Sequence, residues 1–184
     1  ECSAVLDALE YEAQQNAVSV GRTPDGSPYW NPLATRSLGS ANGPAATPAV
    51  VINEIMYHPI SDNDADEYIE LHNRVATNIS LAYWRFTDGI DFMFPAGAAI
   101  AGNGYLVIAK NVTNMLARYP GFLTTNNCIG NYDGTLSDGG ERVALSKPDD
   151  ISLPYQDFVV MDEVTYADGW GSWADGGGSS LELV

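Results

Sequence analysis

From residue 49 onward the chain repeats one pattern. Short runs of apolar and β-branched residues, most of them alternating in polarity, are each closed within a few residues by Gly, Pro, Asn or Asp. A period of two sends neighbouring side chains to opposite faces, which is strand behaviour. AVVINEIMY places Val51, Asn53, Ile55 and Tyr57 on one face and Val50, Ile52, Glu54 and Met56 on the other. EYIELHN sets Tyr68, Glu70 and His72 against Ile69 and Leu71, and ISLAYWRFTD reads as one strand with Ile79, Leu81, Tyr83 and Arg85 opposite Ala82, Trp84 and Phe86. IDFMFP is a short strand closed by Pro95. AIAGNGYLVIAK holds a Gly-Asn-Gly turn before a buried-looking run, Tyr105 to Ala109. RVALSKP, FVVMDEVTY and SSLELV complete the set. About eight short strands with turn chemistry between them predict a two-sheet antiparallel β-sandwich. Its interior is expected to be filled by Ile52, Leu71, Trp84, Leu106 and Val143.

One stretch breaks the pattern. NVTNMLARYPG predicts a short helix, capped by Asn111 or Thr113, apolar along Met115 and Leu116, and ended by Pro120-Gly121. A single short helix cannot supply the crossovers that a parallel sheet needs, so the class is all-β. ADGWGSWADGGGS, rich in Gly and Trp, predicts an irregular loop.

Residues 1–48 differ. AVLDALEY reads as a strand, whereas residues 21–48 are nearly all turn and linker residues, with Pro44 and Pro48 bracketing a boundary. VLDALEY, Val5 to Tyr11, also aligns with VMDEVTY, Val160 to Tyr166: Asp is third, an aliphatic fifth and Tyr seventh in both, and Ser19-Val20 parallels Ser180-Leu181. The chain is therefore expected to begin inside one sandwich and to contain most of a second. The first copy lacks its early strands and cannot bury its own apolar face. Val5, Leu9 and Val20 then pack on the second copy, swap into a neighbour, or fray.

Charge narrows the function. The chain has 24 acidic residues against 8 basic ones, for a formal charge of -16. Phosphate backbones are held by clustered Lys and Arg, so nucleic acid is not an expected partner. No run of about 18 apolar residues exists to form a spanning helix. The opening ECSAVLDALE has neither a basic n-region nor an apolar h-region. The two cysteines, Cys2 and Cys128, are too few for a disulfide framework and fit a single bridge or two free thiols equally.

The series VINEIMYHP, DEYIELHN, ISLAYWRFTDG, FMFPAGAAIAGNGYLVIAKN, YDGTLSDGGERVALSKPDD, VVMDEVTY and GSSLEL, in this order from about residue 49 to 184, resembles the lamin tail domain as it occurs in bacterial proteins. Residues 19–43, with their Gly-Arg-x-x-Asp-Gly turn and small-residue exit, resemble the end of a preceding lamin tail repeat. The resemblance implies an immunoglobulin-like sandwich over 49–184, preceded over 1–48 by the last strands and linker of another repeat. It also implies a non-catalytic interaction or adhesion module in a larger exported protein, extracellular or at the cell surface. The family offers no catalytic residues to carry over.

Three sets of residues remain as candidate chemistry. Glu54, His58, Glu67, Glu70 and His72 have the donor types of a metal-dependent hydrolase, but two histidines with no HExxH spacing favour structural roles. The loop SDNDADE offers Asp62, Asp64, Asp66 and Glu67 to calcium, without the Gly and distant Glu of an EF-hand; Asp168 and Asp175 offer a weaker second set. Trp170 and Trp173 could stack on a sugar, giving a glycan-binding alternative with or without calcium. No GxSxG, P-loop or dinucleotide motif is present.

Overall fold

The computed structural model describes residues 8–9, 11, 13–149 and 157–183. Among these residues, thirteen strands, one α-helix and two 3-10 turns are arranged as a sandwich of a five-stranded and a four-stranded sheet, with two small ribbons beside them. The strands are β1 (Val20–Arg22), β2 (Trp30–Pro32), β3 (Val50–Met56), β4 (Tyr68–Asn73), β5 (Ile79–Ser80), β6 (Arg85–Asp88) and β7 (Phe92–Met93), followed by β8 (Ala99–Ile100), β9 (Tyr105–Ala109), β10 (Cys128–Gly130), β11 (Arg142–Pro148), β12 (Phe158–Thr165) and β13 (Leu181–Glu182). The larger sheet runs β10-β9-β4-β3-β13 and the smaller β12-β11-β6-β7.

The facing sides meet in a dry core. Val50, Ile52, Ile55, Ile69, Leu71, Leu106 and Ile108 of one sheet pack on Phe86, Val143 and Leu145 of the other, with Tyr57, Tyr132 and Tyr166 at its margin. Ile52, Leu71, Leu106 and Val143 are buried as expected, and Trp84 packs against them half-buried. The outer face of β4 and β9 is covered by α1 (Val112–Arg118), which sets Met115 against Val107, Ala109 and Cys128. Asn111 is the cap, its side chain accepting the N–H of Asn114 at 3.1 Å.

Three strand assignments change. In β3 the register shifts between Ile52 and Glu54, so Val50, Ile52, Ile55 and Tyr57 face the core while Glu54 and Met56 pair outward with Glu70 and Tyr68. A bulge adds one residue and reverses the parity that strict alternation assigns. The run from Ile79 to Phe86 is two strands, not one: β5 pairs with β8 and β6 joins the four-stranded sheet, with a turn between them in which Tyr83 takes φ 63. Finally, β10 joins β9 in parallel. Helix α1 makes the crossover that a parallel neighbour needs.

The N-terminal segment is more ordered than its turn-rich composition implies. β1 and β2 form an antiparallel ribbon, Arg22 lies over the Trp30 ring at 4.8 Å, and Leu33 is buried. The segment lies along β12 in the same chain, leaving a groove between Tyr11 and Trp30 on one side and Val160 and Met161 on the other. Most of the strand read over VLDALEY falls outside the described residues. Among the described residues no helix is long and apolar enough to cross a membrane.

Candidate functional site

The carboxylates that the sequence offers for catalysis are mostly tied to the scaffold. Glu54, on the outer face of β3, accepts the hydroxyls of Tyr68 and Ser180. Glu70 accepts from the Asn53 amide at 2.8 Å. Burial pushes the Glu70 carboxyl up, the Asn53 bond opposes this, and the neighbouring Glu54 and Glu182 add to the rise. Glu67 is buried and accepts both the Tyr132 hydroxyl (2.9 Å) and the Leu136 N–H (3.0 Å), fixing the loop between β10 and β11. Its burial raises it to about 7, against the pull of those two bonds. His72 stacks flat on Tyr105 with ring centroids 4.3 Å apart. Cys128 is a free, buried thiol raised by desolvation.

The SDNDADE loop also divides. Asn63 caps the 3-10 turn Asp64–Asp66. The Asp66 carboxylate is bound by Arg118 and Ser61, and Glu67 turns inward as above. Only Asp62 reaches towards His58, at 3.5 Å from Nε2.

His58 is where separate loops meet. It follows β3, and Pro59 behind it stops the strand. Its backbone makes a parallel bridge to Asp175, and its carbonyl accepts the N–H of Gly176 at 3.2 Å. Gly176 has φ +71, and a Cβ there would sit 3.3 Å from the His58 ring, so glycine alone lets the ring lie over this turn without strain. Asp175 Oδ1 is 2.7 Å from His58 Nδ1, and Asp138 Oδ1, from the β10–β11 loop, is 4.0 Å away. Hydrogen bonding to Asp175 raises the His58 pKa above the ordinary imidazole value, with Asp138 and Asp62 adding and burial opposing.

Beside it lies Tyr57, whose ring packs on Tyr166 at 4.7 Å. Tyr57 is 1% exposed, and among the described residues its hydroxyl has no hydrogen-bond partner. Burial raises its pKa, and Asp175, Asp168 and Asp138 add to the rise. An unpaired buried hydroxyl costs about 1–3 kcal/mol. Trp170, ending the 3-10 turn Asp168–Trp170, is 62% exposed, and Trp173 is 76% exposed. Between them and His58 the loop is anchored by Ala174, which is buried in the core.

The sequence offers His58 to a metal-dependent hydrolase, Asp62 to a calcium loop, and Asp168 and Asp175 to a weaker second calcium set, as separate options. The fold brings them to one end of the sandwich. Asp138 carries no local signal that would have found it. Among the described residues no group of three or more His, Cys, Asp or Glu side chains is arranged to hold a metal ion. The end is electronegative and partly aromatic.

Comparison with known families agrees with the architecture. The sequence matches the Lamin Tail Domain family over residues 43–168, well over half of the chain. The chain belongs to the lamin tail domain family. The match runs from the linker before β3 to the turn after β12. Within this lamin tail domain, β13 lies beyond the matched stretch yet pairs Leu181 with Ile55 and Glu182 with Glu54, completing the five-stranded sheet. No curated protein and no solved structure matches the chain.

Proposed function

We propose that this lamin tail domain is a non-catalytic interaction module, displayed by a larger exported protein and preceded over residues 1–48 by the end of another such repeat. One observation carries the reading. Glu54, Glu67 and Glu70, the carboxylates best placed by type for acid–base work, bind hydroxyls, an amide and a backbone N–H of their own scaffold. Groups held this way serve the fold and have no free geometry for a substrate. The test is turnover of generic esters and phosphodiesters, with and without divalent cations. The reading expects no rate above buffer. A saturable rate lost in His58→Ala would replace it with the hydrolase.

The exposure of Trp170 and Trp173 favours a second reading, a glycan-binding module. Glycan-array binding lost in Trp170→Ala would support it. Calcium assistance through Asp62, Asp64, Asp66 and Glu67 would require Asp66 to leave Arg118 and Glu67 to leave the core. A melting temperature unmoved by calcium or EDTA removes calcium from this reading.

A further inference from the structure

We infer that the edge of β1 turned away from β2 is the seat for the first strand of a preceding lamin tail repeat, a strand built like β3. This rests on the reading that residues 1–48 end such a repeat, and it names the contact that completes it.

The chain carries its own template for this contact. By the internal repeat, Ser19-Val20 stands where Ser180-Leu181 stands, so β1 corresponds to β13. β13 pairs antiparallel with β3, Leu181 opposite Ile55 and Glu182 opposite Glu54. The Leu183 N–H continues that ladder to the Asn53 carbonyl at 2.8 Å. Bonded and non-bonded pairs alternate along such a ladder, so Leu181 and Ile55 exchange both of their backbone bonds. The counterpart of Leu181 in β1 is Val20.

Val20 has the same two groups to offer. On its other side β1 pairs with β2, and the Leu33 N–H donates to the Ser19 carbonyl at 2.7 Å. The next pair, Val20 and Pro32, is therefore non-bonded, as the missing N–H of Pro32 requires. The Val20 N–H and C=O thus point away from β2, and among the described residues neither has a partner. Two residues on, the Asn42 side chain donates to the Arg22 carbonyl at 2.8 Å and closes the edge. β1 also lines a cavity of about 480 Å³ together with Trp30, Leu33, Leu38 and Asn42, and Leu38 is 96% exposed. An incoming strand finds apolar side chains beside unpaired backbone, the two elements of strand addition.

The test uses the whole chain, labelled for NMR, and a synthetic peptide of residues 49–57 with an ethylene-glycol tail as probe. Saturable shifts centred on residues 19–22 and 38–42 are expected. Methylating the Ile55 nitrogen of the peptide should weaken binding about tenfold, because it removes the N–H that the Val20 carbonyl accepts. Methylating the Glu54 nitrogen, which points to the opposite edge of the added strand, should not. Val20→Pro deletes the outward N–H, leaves the β2 ladder intact and should also weaken binding. Equal affinity for the two methylated peptides, shifts centred on β12, or no saturable binding overturns the site. Should Val20→Pro lose the ribbon, the methylated pair decides alone. Failure here leaves the display reading standing, because that reading falls only to turnover.

Discussion

The Asp162 carboxylate on β12 accepts the backbone N–H of Ile52 on β3 at 2.7 Å. A side chain of the smaller sheet thus occupies a ladder position at the edge of the larger one. The bond falls beside the β3 bulge, where regular pairing is interrupted, and opposite the register shift between Leu145 and Ser146. Asp162→Ala should cost about 1–3 kcal/mol by leaving that N–H without an acceptor. Asp162→Asn, which keeps an acceptor, should cost less. Urea unfolding of both variants checks the order, and equal costs would show that the bond contributes little.

Stability should decline as pH rises from about 4.5 to about 7. Glu67 is raised from 4.5 to about 7 in the folded chain, so over this window the native state holds more protons than the unfolded one. Stability from such a group is present at low pH and lost as pH rises through its folded value. Asp162 and Glu70 are raised as well and act in the same direction. Glu67→Gln, which does not titrate, should flatten the profile of melting temperature against pH. A slope unchanged in this variant would assign the effect elsewhere.

Tyr57→Phe should raise stability by about 1 kcal/mol. It keeps the ring packed on Tyr166 and deletes a buried hydroxyl that has no partner among the described residues. A loss of stability in chemical denaturation would show that the hydroxyl is satisfied.

Cys128 should be unreactive in the native state. It is buried under α1 with Val107, Ala109 and Met115, and desolvation disfavours its thiolate. In a Cys2→Ser background, a thiol reagent should titrate one group only after denaturant is added. Prompt native labelling would mean that α1 opens readily.

Much of the architecture was legible, and the misses have local causes. YIELHN alternates as its burial does, because β4 lies unbulged between two partners. VVINEIM alternates just as well in sequence, but its bulge at Asn53 reverses the faces, and a bulge leaves no mark in a polarity pattern. Tyr83 takes a left-handed conformation that neither Gly nor Asn announced, so one strand became two. β10 is three residues long and paired in parallel on one side, too short for periodicity to register. At the site, His58, Asp62, Asp168 and Asp175 were each visible as residue types. Their convergence depends on a single parallel bridge between His58 and Asp175, 117 residues apart in sequence, which is tertiary information.

Three acidic loops meet on His58 and make one electronegative end. The most direct measurement is an NMR titration of the His58 imidazole in the wild type and in Asp175→Asn. A His58 pKa above the ordinary imidazole value, falling when Asp175 is neutralised, is expected. A His58 pKa at or below that value, unmoved by Asp175→Asn, would contradict it.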